Sequence, residues 1–106
     1  MSGAWHDVAA TSEIEDEDVI QVKAGDQDLA VYNLGGRFFA TTDVCSHAGA
    51  CLSDGFVIGE EIECPLHQGR FHIPSGAARG APASEPLAVY AVKVENGRVF
   101  VDVDGG

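Results

Sequence analysis

A chain of 106 residues accommodates one domain, 1–106, and excludes two independently packed cores; 45% apolar and 22% charged residues are ordinary for a soluble domain. Six Lys and Arg against 17 Asp and Glu give a net charge of −11, which repels nucleic acid and anionic membranes and attracts a basic protein partner. No uncharged stretch approaches the ~20 residues of a spanning helix, and the opening MSGAWHDV lacks the basic start and apolar core of a signal peptide, so cytoplasm is the expected compartment.

In chain order, Trp5 and His6 fall in an opening strand, and the neighbourhood of Glu13 to Asp18 supports one helical turn at most. Val19–Lys23 and Asp28–Leu34 are short, β-branched and loosely alternating, and Gly35-Gly36 then leads into Arg37–Thr42; these read as strands joined by a hairpin. From 43 to 86 the chain changes character. Gly and Pro recur through it, leaving only short strand pieces such as Phe56–Ile58 and Glu61–Glu63. Leu87–Glu95 alternates again, Asn96-Gly97 supplies the residues of a type I′ turn, and Arg98–Val103 completes a second hairpin. The fold class is mostly β, with a base from 1–42 and 87–106 and a loop-rich insert at 43–86. A loop-rich segment of that length costs much conformational entropy unless something crosslinks it.

Three cysteines, Cys45, Cys51 and Cys64, cannot all pair internally, and in a reducing compartment such a set points to metal or buried thiols. Cys45-Ser-His47 and Cys64-Pro-Leu-His67 are separated by the 16 residues 48–63, each offering one thiolate and one imidazole among turn residues. Pro65 fixes one φ angle and so prearranges the second pair. Two sulfur and two nitrogen donors suit zinc or an iron–sulfur cluster. Structural zinc sites usually group like ligands at wider spacing. Alternating Cys and His therefore favours a binuclear cluster reached by both loops; two Cys on one iron and two His on the other is the ligation of a Rieske [2Fe–2S] centre.

The signature C-x-H, sixteen residues, C-x-x-H resembles that of Rieske proteins. More narrowly, Cys45-Ser-His-Ala-Gly-Ala50, Leu52-Ser-Asp-Gly55 and Glu63-Cys-Pro-Leu-His-Gln-Gly-Arg-Phe71 resemble the small Rieske-type ferredoxins of bacterial aromatic ring-hydroxylating dioxygenase systems. The resemblance runs over essentially the whole chain, C-terminal hairpin included. It implies an antiparallel β-sandwich or barrel base carrying a cluster-binding subdomain. It also implies one [2Fe–2S] cluster per chain, with Cys45 and Cys64 on the inner iron and His47 and His67 on the outer one, facing solvent. Gly80-Ala-Pro82 would match the family's proline loop over the cluster.

Departures from the pattern tune the expectation. High-potential respiratory relatives add a disulfide at positions that are here Ala50 and Leu66, and Cys51, one place further on, has no partner for such a bridge. They also carry Ser and Tyr where this chain has Gly69 and Phe71, losing two hydroxyl donors to the cluster sulfurs. Hydrogen bonds to sulfur stabilise the reduced state, so the potential is expected toward the bottom of the range of about −150 to +300 mV. Cys51 reads as a packing residue, His72 and His6 as non-ligands, and Arg70 and Arg79 as cations near the cluster elements. The acidic run Glu13–Asp18 reads as a solvated face, or more sharply as a steering patch for a basic partner.

No acid–base pocket, nucleotide loop or second iron site is legible, so the chain is expected to be a carrier and not an enzyme. It would take one electron from an NAD(P)H-dependent flavin reductase and deliver it to a terminal Rieske oxygenase, as a monomer free of membrane and nucleic acid. Two rival readings are a Rieske subunit of a nitrite or arsenite redox complex and a structural zinc-binding interaction module.

Overall fold

The computed structural model describes residues 5–43, 51–65, 69–80 and 86–103. Strands β1 (Trp5–Ala10), β2 (Asp18–Ala24), β3 (Gln27–Leu34) and β4 (Arg37–Thr42) precede the insert. The insert contributes β5 (Phe56–Ile58), β6 (Glu61–Glu63), β7 (Arg70–His72) and β8 (Ala78–Gly80), and the chain closes with β9 (Val89–Glu95) and β10 (Arg98–Asp102). Helix is confined to single 3-10 turns at Thr11–Glu13 and Leu52–Asp54 among the described residues.

The base sheet has the order β1-β10-β9-β4-β3-β2, and the insert forms a separate sheet β5-β6-β7-β8; every pairing is antiparallel. β4 meets β9 through only two residue pairs, Ala40 with Tyr90 and Thr41 with Val89. That short seam lets two three-stranded halves fold over one another as a barrel-like base. The second hairpin forms as the sequence predicts: Asn96 and Gly97 both take positive φ, 52° and 75°, as a type I′ turn requires.

β3 explains how base and insert are joined. Successive side chains of a strand point to opposite faces, and in β3 both faces are covered, so Leu29 to Leu34 are all buried. Leu29 and Val31 join the base core with Ala9, Ile14, Val22, Ala24, Ala40, Val99 and Val101. Ala30, Tyr32 and Leu34 face the other way, into a second cluster with Val19, Leu52, Ile62, Cys64, Phe71, Ile73 and Leu87. The buried Tyr32 hydroxyl is satisfied by the Thr41 Oγ1 at 2.9 Å, and burial, chiefly, pushes its pKa well above the ordinary tyrosine value.

Candidate metal centre

The second cluster is where the insert hangs. Leu52 follows the segment 44–50, Cys64 precedes 66–68, and Leu87 follows 81–85, and all three are buried in the same apolar group. Cys45, His47, His67 and Pro82 lie outside the described residues, whereas the residues that flank their segments lie within them.

The hairpin of β6 and β7 pairs Glu61 with His72, Ile62 with Phe71 and Glu63 with Arg70. It is closed by the Cys64 N–H donating to the Gly69 carbonyl at 2.7 Å. Cys64 is fully buried at that closure. The proline after it suits a tight turn whose first φ is fixed. Arg70 lies across the same end, with Nη2 at 3.2 Å from Glu63 Oε1 and Nη1 at 3.9 Å from Glu61 Oε1.

The first root is built differently, around a carboxylate that sequence reading did not single out. Asp43, immediately after β4, is 0% exposed. Its carbonyl accepts from the Leu52 N–H at 2.6 Å, closing the segment between them. Its carboxylate accepts from Ser53 N–H at 2.8 Å, Ser53 O–H at 3.1 Å and Gln21 Nε2–H at 2.6 Å. The signal available in the sequence was Asp43 two residues before a candidate ligand; its burial depends on Gln21 of β2 and Ser53 of the following turn, which only folding brings together. Cys51 lies beside this carboxylate, and the negative charge of Asp43, then burial, raises its thiol pKa. That disfavours the thiolate a reactive or redox-sensing cysteine needs.

The third root is at Gly76, whose N–H donates to the His72 carbonyl at 2.6 Å and whose carbonyl accepts from Leu87 N–H at 2.7 Å. Thr42 N–H then donates to the Ala88 carbonyl at 3.0 Å, returning the chain to the base beside Asp43.

His72 sits at the opposite end of the hairpin from Cys64. Its Nδ1 is 2.7 Å from Ser75 Oγ and its Nε2 3.3 Å from Glu60 Oε1, so both ring nitrogens have partners away from the ligand loops. Glu60 also accepts from Arg37 Nη2 at 2.9 Å. A cleft of about 280 Å³ at this end is rimmed by Asp16, Glu17, Arg37 and Glu60; its residues are remote from Cys64 along the strands and it has no part in the metal centre. The acidic run is only partly a free face. Glu13 accepts from Ala10 N–H at 2.9 Å and Asp16 from Gly35 N–H at 2.7 Å.

Residues 4–91 match the Rieske [2Fe-2S] domain family profile. The chain belongs to that family. Over 103 residues it is 44% identical to the ferredoxin component of the naphthalene 1,2-dioxygenase system of Pseudomonas aeruginosa, covering 97% of this chain and 99% of the relative. Its fold is similar to that of the Sphingomonas yanoikuyae B1 ferredoxin, with a TM-score of 0.89 and 36% identity over 93% of this chain and 98% of that one. It is also similar to a chain in a complex of reduced oxygenase and oxidized ferredoxin in carbazole 1,9a-dioxygenase, at a TM-score of 0.87 and 39% identity, each chain 92% covered.

This Rieske ferredoxin is therefore an electron carrier and not itself a catalyst, and its cofactor is a Rieske [2Fe–2S] cluster. The described donor fits that group: Cys64 offers a sulfur shielded from water by Leu52, Ile62 and Phe71, as a thiolate–iron bond in a low-dielectric shell requires. Phe71 is wholly buried at the position discussed above and brings no hydroxyl.

Proposed function

We propose that Cys45, His47, Cys64 and His67 hold the cluster, and that the protein carries single electrons from an NAD(P)H-dependent flavin reductase to a terminal Rieske oxygenase acting on an aromatic ring. The observation that carries this reading is the convergence of the three loop roots, Leu52, Cys64 and Leu87, on one apolar cluster. Leu52, just after the Cys-x-His segment, and Cys64, which opens the Cys-x-x-His segment, share that cluster. When bound, the cluster supplies a one-electron couple. The chain's own residues supply the rest: Pro65 and the Cys64–Gly69 bond shape one ligand segment, and Asp43 with Ser53 and Gln21 fixes the base of the other.

Several finer points belong to the same proposal. The chain acts as one Rieske domain, 1–106, in the cytoplasm and as a monomer; among the described residues no helix is long and apolar enough to cross a membrane. Gly69 and Phe71 offer no hydroxyl to the cluster, which supports a low potential. Full-length similarity to ferredoxin components favours this reading over the nitrite or arsenite subunit and over a zinc module.

Reconstitution tests it. Mixed with a reductase and a terminal oxygenase of such a system, the protein should support NAD(P)H-driven hydroxylation, and omitting it should abolish turnover. A red-brown preparation should hold iron and acid-labile sulfide in equal amounts. A colourless protein with stoichiometric zinc would overturn the proposal.

A further inference from the structure

We infer that the outward face of β5, the exposed pair Phe56 and Ile58 with the carboxylates around it, is a docking surface for a basic patch of the terminal oxygenase that presents an apolar side chain. The inference rests on the carrier reading above and adds where that partner sits. On the outward face of the insert sheet, Phe56 lies beside Glu63 and Arg70, and Ile58 beside Glu61 and His72. The row between them faces inward: Ile62 and Phe71 are fully buried and Val57 packs against their cluster. β6 and β7 thus follow the rule for a sheet with one wet face, polar at both outward positions. β5 breaks it. Phe56 is 62% and Ile58 44% exposed, although Val57 alone supplies the strand's share of the core. Folding accounts for neither outward side chain, and two of them about 7 Å apart on one strand form a strip, unlike an apolar residue scattered singly.

The charge around the strip selects its occupant. Glu61 and Glu63 flank it on β6, Glu60 lies at its end, and the cleft beyond adds Asp16 and Glu17. Arg70 pairs with Glu61 and Glu63, and Arg37 with Glu60. Five carboxylates against two arginines leave the rim negative. With a net charge of −11 behind it, that rim repels a second copy of the chain and an anionic membrane, and it complements a cationic protein surface. An apolar centre inside a polar rim is the composition of a protein–protein interface. Phe56 stands opposite Glu63, the residue before Cys64, so the strip begins at the end of the hairpin that an electron acceptor must approach.

Stopped-flow electron transfer from the reduced holoprotein to an oxidised terminal oxygenase of an aromatic dioxygenase system tests this, with the rate followed against oxygenase concentration. Replacing both side chains, Phe56→Thr with Ile58→Thr, removes the strip while keeping residues that favour a strand. The visible and EPR spectra should not change, the half-saturating concentration should rise about tenfold, and the limiting rate should stay within about twofold. Val94→Thr, at a comparably exposed position of β9, should move that concentration less than about twofold. Glu61→Lys, which reverses one rim charge, should raise it at low ionic strength and much less in high salt. If the double variant loads no cluster, Ile58→Thr alone decides, with a rise of about threefold expected. Loaded variants that match the unmutated protein overturn the inference, as does a loss confined to electron uptake from the flavin reductase. A dimer of the unmutated protein in sedimentation that the double variant dissolves would make a second copy the occupant and overturn it too. Unmutated reduced holoprotein that passes no electron to the oxygenase would instead overturn the carrier reading beneath it.

Discussion

His67 and His72 are expected to respond oppositely to mutation, although both are histidines on or beside the same hairpin. His72 has Ser75 and Glu60 as ring partners, so His72→Gln should leave the visible and EPR spectra unchanged. His67→Ala should lose the cluster and much of the insert's order, because ligation and folding are coupled in metal-stapled domains. Cys51→Ala should likewise keep the spectrum, since Asp43 disfavours its thiolate. The proposed ligand motif was legible because its members are close in sequence. Asp43 was not, because what makes it distinctive is a set of partners at positions 21 and 53.

Among the elements, the turn between β7 and β8 carries more than its length suggests. Gly76 has φ +76°, and a Cβ there would run into the Leu87 carbonyl oxygen and crowd Val89. Gly76→Ala is therefore expected to cost at least about 2 kcal/mol, from left-handed backbone strain plus the clash, measurable by urea unfolding. Beside the same turn, Arg37 of β4 reaches Glu60 of the insert and, with His72, holds its carboxyl below the ordinary glutamate value. A depressed folded-state pKa contributes stability above the unfolded value and loses it as pH falls through the folded one. Unfolding midpoints should thus fall on acidification below the usual carboxylate range, and Glu60→Gln should flatten that part of the curve. The sequence showed β5 and β6 but not β7 and β8: Arg-Phe-His and Ala-Arg-Gly hold none of the β-branched residues that Phe-Val-Ile and Glu-Ile-Glu do, and pairing of β7 with β6 and of β8 with β7 is what makes them strands.

Across the whole molecule, two cores meet on opposite faces of β3, and they should respond differently to loss of the metal. The base cluster is made wholly of residues outside the insert. Chelation of the iron is expected to lower hydrogen-exchange protection in β5 to β8 first, with β3 and β10 still protected. The net charge of −11 predicts that association with a basic redox partner slows as salt rises, which stopped-flow rates across ionic strength would measure. A rate independent of salt would show that charge does not steer the encounter.

By itself the sequence determined the β class, the two-hairpin base with its Asn96-Gly97 turn, and the Cys and His pairs that are proposed to hold the cofactor. These are local properties: alternation, turn chemistry and ligand spacing act between residues a few positions apart. Only the tertiary structure decided that β3 is buried on both faces, that Leu52, Cys64 and Leu87 share one cluster, and that Asp43 is enclosed by Gln21 and Ser53. Each of those depends on segments far apart in the chain excluding water from one another, and no short stretch of sequence records which of them will meet.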